Sequence, residues 1–200
     1  MGVPLYGSLI NTITRGARLK KFYLRSAPTG TGKSRTMVAD ACNFACDKIY
    51  SEQFGSWISN NTKEPTLFIT TEQELPEIQT MMLAFEADVD EDHILNGKYE
   101  GDEEKRVKEA AQIISESPLY IEMLPDFSLQ DIENAIIKNI RDHEVKFICL
   151  DYIHTSMKIL EEITRRSGGV KLREDNILFM MAIKLKDICN KYGVFIISAT

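Results

Sequence analysis

A mainly parallel α/β sheet, covered by helices on both faces, is the fold class this sequence predicts, and three observations carry it. Five short apolar runs recur along the chain: KFYLRS (21–26), TLFIT (66–70), LYIEML (119–124), KFICL (146–150) and VFIIS (194–198). None alternates apolar with polar residues, the pattern expected of strands buried on both sides. Stretches with helical spacing lie between them, which implies crossover connections. Third, a glycine-rich turn follows the first run and opens a helix.

Taken in order, residues 1–20 form a lead-in to the first strand, and residues 21–200 read as one domain. From Ser34 to Ile49, apolar residues at Met37, Val38, Ala41, Phe44, Ala45 and Ile49 make a helical stripe. Residues 51–65 are polar and hold the only tryptophan, Trp57. They read as a surface connection, with the ring packed over a loop rather than stacked on a ligand. Ser128 and Asp131 form a capping box that opens a helix through Ile132, Ala135, Ile136 and Ile140. A third helix runs along Ile177, Leu178, Met181, Leu185, Ile188 and Tyr192, and Gly193 stops it.

The totals bound what such a chain does. Two hundred residues with 44% hydrophobic and 27% charged side chains describe an ordinary soluble domain. No apolar run approaches the roughly 20 residues that span a bilayer, and no signal peptide precedes the first strand, so the expected setting is the cytoplasm. A net charge of −6 argues against wholesale electrostatic coating of nucleic acid, while leaving room for a local basic loop. Nine carboxylates stand between Glu86 and Glu104 against Lys98 alone, which reads as a solvated helical face. The cysteines 42, 46, 149 and 189 lack paired zinc-ligand spacing and read as reduced core thiols.

The chemistry lies in SAPTGTGKS. Ala27-Pro-Thr-Gly-Thr-Gly-Lys33-Ser34 matches the phosphate-binding loop, with Ala27 at the place of the first glycine. Ala27, Thr29, Gly30, Thr31, Gly32, Lys33, Ser34 and Arg35 are therefore the candidate nucleotide-binding residues. Inward-turned amides must surround a polyphosphate, and glycines permit that backbone. Lys33 is expected on the β and γ phosphates of ATP, and Ser34 on Mg²⁺. Asp151 ends the buried run KFICLD, where a carboxylate is costly unless it serves a metal or a hydrogen bond; with Ser34 it is the candidate metal ligand. Tyr152 follows it, so no adjacent Asp-Glu pair supplies a base. Glu72, just beyond the second long run, is the candidate that orients or deprotonates water, with Lys33 as its catalytic partner.

Together SAPTGTGKS, LFITTEQELPEIQTMMLAFEADVDEDHILNGK, FICLDYIH and LREDNILFMMAIKLKDICNKYGVFIISAT resemble the ATPase domain of the DnaB-like replicative helicases, within the RecA-like superfamily of P-loop NTPases. The resemblance covers nearly the whole chain. It implies that Glu72 is the catalytic base and Asp151 the Walker B aspartate. It also implies that the last strand lies between the phosphate-loop strand and the Asp151 strand, leaving the phosphate-loop strand at an edge. His154 falls where the family commonly carries a glutamine sensor, and a sensing or a purely structural role stays open. Gln73 replaces a usual methionine. The basic stretch EEITRRSGGVKLRED holds Arg165, Arg166, Lys171 and Arg173, and by resemblance faces single-stranded DNA in the channel of a hexamer; a solvated loop is the alternative.

The resemblance further implies a homo-hexameric parent, a primase or helicase loader as partner, and a bacterial, phage or prophage origin. Family members continue beyond the segment matched by residues 1–200 to an arginine finger, so this stretch reads as a fragment, weakly active alone. Two other readings stand beside it: a recombinase-like RecA relative, and a non-catalytic nucleotide-binding subunit.

Overall fold

The computed structural model describes residues 2–28, 30–166 and 173–200, with the backbone alone at Arg166. Its main sheet has five strands: β1 (Phe22–Arg25), β4 (Thr66–Thr70), β5 (Leu119–Met123), β6 (Phe147–Asp151) and β7 (Phe195–Ala199). They lie in the order β1-β7-β6-β4-β5, and every pairing is parallel. The last strand is thus inserted between β1 and β6, as the family resemblance implies, and β1 stands at an edge of the described sheet.

Alternate residues of each strand leave by opposite faces, which builds two cores. Leu67, Ile69, Ile148, Leu150 and Ile196 point to one side, where α6 (Leu129–His143), α7 (Met157–Arg166) and α8 (Glu174–Tyr192) cover them. Phe68, Phe147, Cys149, Phe195 and Ile197 point to the other, under α2 (Lys33–Ala45) and α3 (Leu75–Ala87). Phe44 anchors α2 here, its ring 5.1 Å from Phe147 and 5.9 Å from Phe195. Full burial of such a ring contributes about 1.5–3 kcal/mol.

Residues 2–20 lie against the second core. Val3 pairs with Ala17 across a short bridge, α1 (Ser8–Thr14) intervenes, and Leu5 and Ala17 are buried. The short helix α4 (Glu91–Asn96) and helix α5 (Glu103–Ser115) pack beside α3. The capping box at Ser128 and the Gly193 stop both form where the sequence places them, Ser128 accepting from the Asp131 amide and Gly193 adopting φ +73°.

Three sequence expectations are corrected. The helix predicted through Ile49 ends at Ala45, because Asn60 donates to the carbonyls of Asn43 (2.8 Å) and Cys46 (3.3 Å) and Thr62 donates to Asn43 (2.6 Å), satisfying its last turn from outside. Residues 51–65 are more than a connection: β2 (Lys48–Ser51) and β3 (Ser56–Ser59) form an antiparallel hairpin. In it Trp57 packs 5.5 Å from Tyr50 and donates its indole N–H to Glu109 at 2.6 Å, so the ring does anchor a surface element. The acidic run is not solvated throughout, for Glu86 is wholly buried.

Candidate nucleotide site

The carboxyl ends of β1, β6 and β4 open onto one cleft of about 700 Å³, lined by Gly30, Gly32, Lys33, Ser34, Arg35, Glu72, Asp151, Tyr152 and Thr200 among others. Strand ends in open α/β sheets are where ligands bind. Four sequence stretches far apart in the chain therefore converge on a single concavity.

The phosphate loop carries Gly30 at φ +79° and Gly32 at φ +82°. A Cβ at either would meet no protein atom within 4 Å, so the left-handed backbone rather than crowding requires glycine. Thr31 Oγ1 donates to the Pro28 carbonyl at 2.7 Å and closes the turn. Gly32 caps α2 without a side-chain acceptor, and no acidic residue occupies the first turn, so the positive end of the helix faces the cleft with no acid of its own to cap it. Thr29 lies outside the described residues.

Lys33 reaches across the cleft floor. Its Nζ donates to the Thr200 carbonyl at 2.7 Å and sits 5.7 Å from the Tyr152 ring centre. Thr200 is held in turn by its amide on the Arg25 carbonyl, at 3.0 Å. Asp151 is buried, accepts a hydrogen bond from Ser34, and has one carboxylate oxygen, Oδ1, with no partner. Burial pushes its carboxyl above the ordinary value; the Ser34 hydrogen bond and Lys33 pull it back, and the charge of Glu72 adds to the rise. A hydroxyl beside a carboxylate with an orphaned oxygen is a donor set that a hard, oxygen-liganded dication such as Mg²⁺ fits.

Glu72 is exposed on the opposite wall, and Tyr152 Oη donates to its Oε1 at 2.6 Å. That hydrogen bond, with burial, pushes the phenol up to about 12. The strand end carrying Asp151 and Tyr152 is fixed by Thr71. Its amide donates to the Asp151 carbonyl at 2.9 Å, and its Oγ1 accepts from the Tyr152 amide at 3.2 Å. The Asp151–Tyr152 peptide bond is cis. His154 is not among the lining residues. Its Nδ1 stands 3.4 Å from Thr71 Oγ1, and its ring meets Phe127 edge-on at 5.1 Å and Tyr152 at 5.2 Å.

Arg35 lines the cleft with its guanidinium paired to Glu91 of α4, at 2.6 and 2.9 Å. Of the basic stretch, Arg165 is exposed near the end of α7 and Arg173 pairs with Asp175 at 3.1 Å. Nothing is described of the Arg166 side chain, and Lys171 lies outside the described residues. Tyr152, Thr71 and the Thr200 carbonyl are site groups that sequence reasoning missed. Only Tyr152 left a signal there, as the residue standing where a second acid would follow Asp151.

A parallel sheet in this order, with a phosphate loop after β1 and an acid at the end of β6, defines the RecA-like ATPase fold. Solved structures agree on the architecture. One solved chain, an ATPase domain, superposes with a TM-score of 0.73 at 15% identity, covering all of this chain and 63% of that one. A DnaB-like replicative helicase, solved in a study of its interactions with primase, gives 0.73 and 15%, covering all of this chain and 44% of that one. Residues 2–199 match the DnaB-like helicase C terminal domain, and the chain belongs to that family. A relative from Bacillus subtilis (strain 168), the SPbeta prophage-derived uncharacterized protein YorI, is 44% identical over all 200 residues, which span 40% of its length. Among the described residues, no helix is long and apolar enough to cross a membrane.

Proposed function

We propose that this domain binds and hydrolyses Mg-ATP to drive movement along single-stranded DNA, as one subunit of a hexameric helicase acting in the cytoplasm during DNA replication. The observation that carries the reading is Asp151: a buried acid with an unpartnered oxygen, bonded to Ser34 and facing Glu72 across the cleft. Ser34 and Asp151 would hold Mg²⁺, which supplies neutralisation of charge on the transferring phosphoryl group. The loop N–H groups between Ala27 and Ser34, Pro28 having none, bind the phosphates together with the helix terminus and Lys33. Lys33 exchanges the Thr200 carbonyl for a phosphate oxygen when nucleotide enters. Glu72, held by Tyr152, takes the proton of the attacking water.

Arg165, Arg166, Lys171 and Arg173 are assigned to the DNA strand on charge alone, and His154 to transmitting the state of the site from behind Tyr152. A primase or helicase loader is the partner such a ring implies. The test separates binding from chemistry. Calorimetry should detect Mg²⁺-dependent ATP binding by the wild-type chain and by Glu72→Gln, and a large loss of affinity in Lys33→Ala. Single-turnover hydrolysis should fall by about 10²–10⁴ in Glu72→Gln. Unchanged hydrolysis in Glu72→Gln, or absence of nucleotide binding by the folded wild-type chain, would overturn the reading.

A further inference from the structure

A second cluster lies within the core, away from the nucleotide cleft. Cys42 and Cys46, one turn apart on α2, present both thiols to Glu86 of α3, and the three ligand atoms lie within 4.8 Å of one another. All three residues are buried, at 1%, 1% and 0% exposure. The Glu86 carboxylate lies against the Cys46 thiol and has no nitrogen or oxygen donor on either oxygen. An ionised carboxylate in that position is costly unless a proton or a cation neutralises it.

The surroundings favour positive charge, whether as a proton or as a cation. Cys46 caps the C-terminus of α2, and Glu86 stands in the last turn of α3, so the negative ends of two helices converge on the trio. Neither last turn carries a basic side chain. Three ionisable donors beside two helix C-termini make a place that disfavours negative charge and favours a proton or a cation. Two sulfurs and one oxygen are the donors of a thiophilic divalent ion of the zinc class, not of Mg²⁺ or Ca²⁺.

We propose that Cys42, Cys46 and Glu86 form a structural zinc site that ties the C-terminal end of the phosphate-loop helix to that of the helix following Glu72. The two thiols and the carboxylic acid release their protons to solvent on binding, and the fourth position is left to a small oxygen donor. The Ser117 hydroxyl is already beside Cys46. Cysteine spacing alone does not reveal such a site, because the third ligand comes from a different helix.

Elemental analysis of the full chain, purified without chelator or after zinc is added back under reducing conditions, should give close to one zinc per chain. Replacement by Co²⁺ should produce thiolate-to-cobalt charge-transfer absorption, which an oxygen-only site at Ser34 and Asp151 cannot give. Cys46→Ala should lose that absorption, and Glu86→Gln should weaken Co²⁺ binding at least about tenfold. With zinc present the wild-type chain should melt higher than Glu86→Gln; with chelator the order should invert, because the neutral amide removes the buried acid. Absence of both stoichiometric zinc and the cobalt signal in folded wild-type protein overturns the proposal. A cobalt signal that survives intact in Cys46→Ala does the same.

Discussion

Tyr152 sits where many ATPases place a second acid, and its hydroxyl is committed to Glu72 at 2.6 Å. A hydrogen bond to a charged group contributes about 1.5–3 kcal/mol, here to the aim of the carboxylate rather than to nucleotide affinity. Tyr152→Phe should therefore lower kcat for ATP about tenfold while leaving KM nearly unchanged, and steady-state kinetics will show the split. An equal fall in affinity would mean that the phenol touches nucleotide directly. That Lys33, Ser34, Glu72 and Asp151 meet in one cleft was legible in the sequence, because each is a distinctive residue type at the end of a recognisable strand or the start of a recognisable helix. Thr71 and the Thr200 carbonyl were not. A backbone oxygen leaves no trace in residue identity, and a threonine that pins a strand end looks like any other threonine at a strand end.

At the level of elements, the sheet strands were readable because buried parallel strands are continuous apolar runs, while the hairpin β2–β3 was not. Its strands are four residues each, half polar, and held by Asn60 and Thr62 rather than by a core of their own. Helices α6 and α8 are joined by Glu133, which accepts from Lys184 at 2.8 Å, Lys191 at 2.9 Å and Tyr192 at 2.8 Å. The Lys184 hydrogen bond, reinforced by the other two, holds its carboxyl down at about 2 against an ordinary 4.5. Between those values the unfolded chain binds the extra proton and the folded chain does not, so stability rises with pH across the window. Glu133 should thus support the fold fully above about pH 4.5 and lose that support as pH falls toward 2. Acid-unfolding curves of Glu133→Gln should be flatter there than those of the wild type; parallel curves would remove Glu133 from the account.

Across the whole molecule, layer arrangement follows from the alternation of apolar runs and helices, but strand order does not follow from the residues alone; here the family resemblance supplied it. That order sets a timetable for synthesis. Among the described strands, β1 pairs only with β7, and all the other strands of the sheet are made between Arg25 and the start of β7 at Phe195. While a ribosome extends the chain, β4, β5 and β6 can assemble among themselves, whereas the strand leading into the phosphate loop has no neighbour until β7 emerges. Deleting residues 194–200 should leave a chain with much of its helix content, measured by circular dichroism, yet unable to take up ATP; retained nucleotide binding would show that β1 docks without β7. Because the same late strand leads to the oxygen on which Lys33 rests, the phosphate loop gains its strand neighbour and its lysine its partner together, and a nascent chain that lacks β7 lacks both.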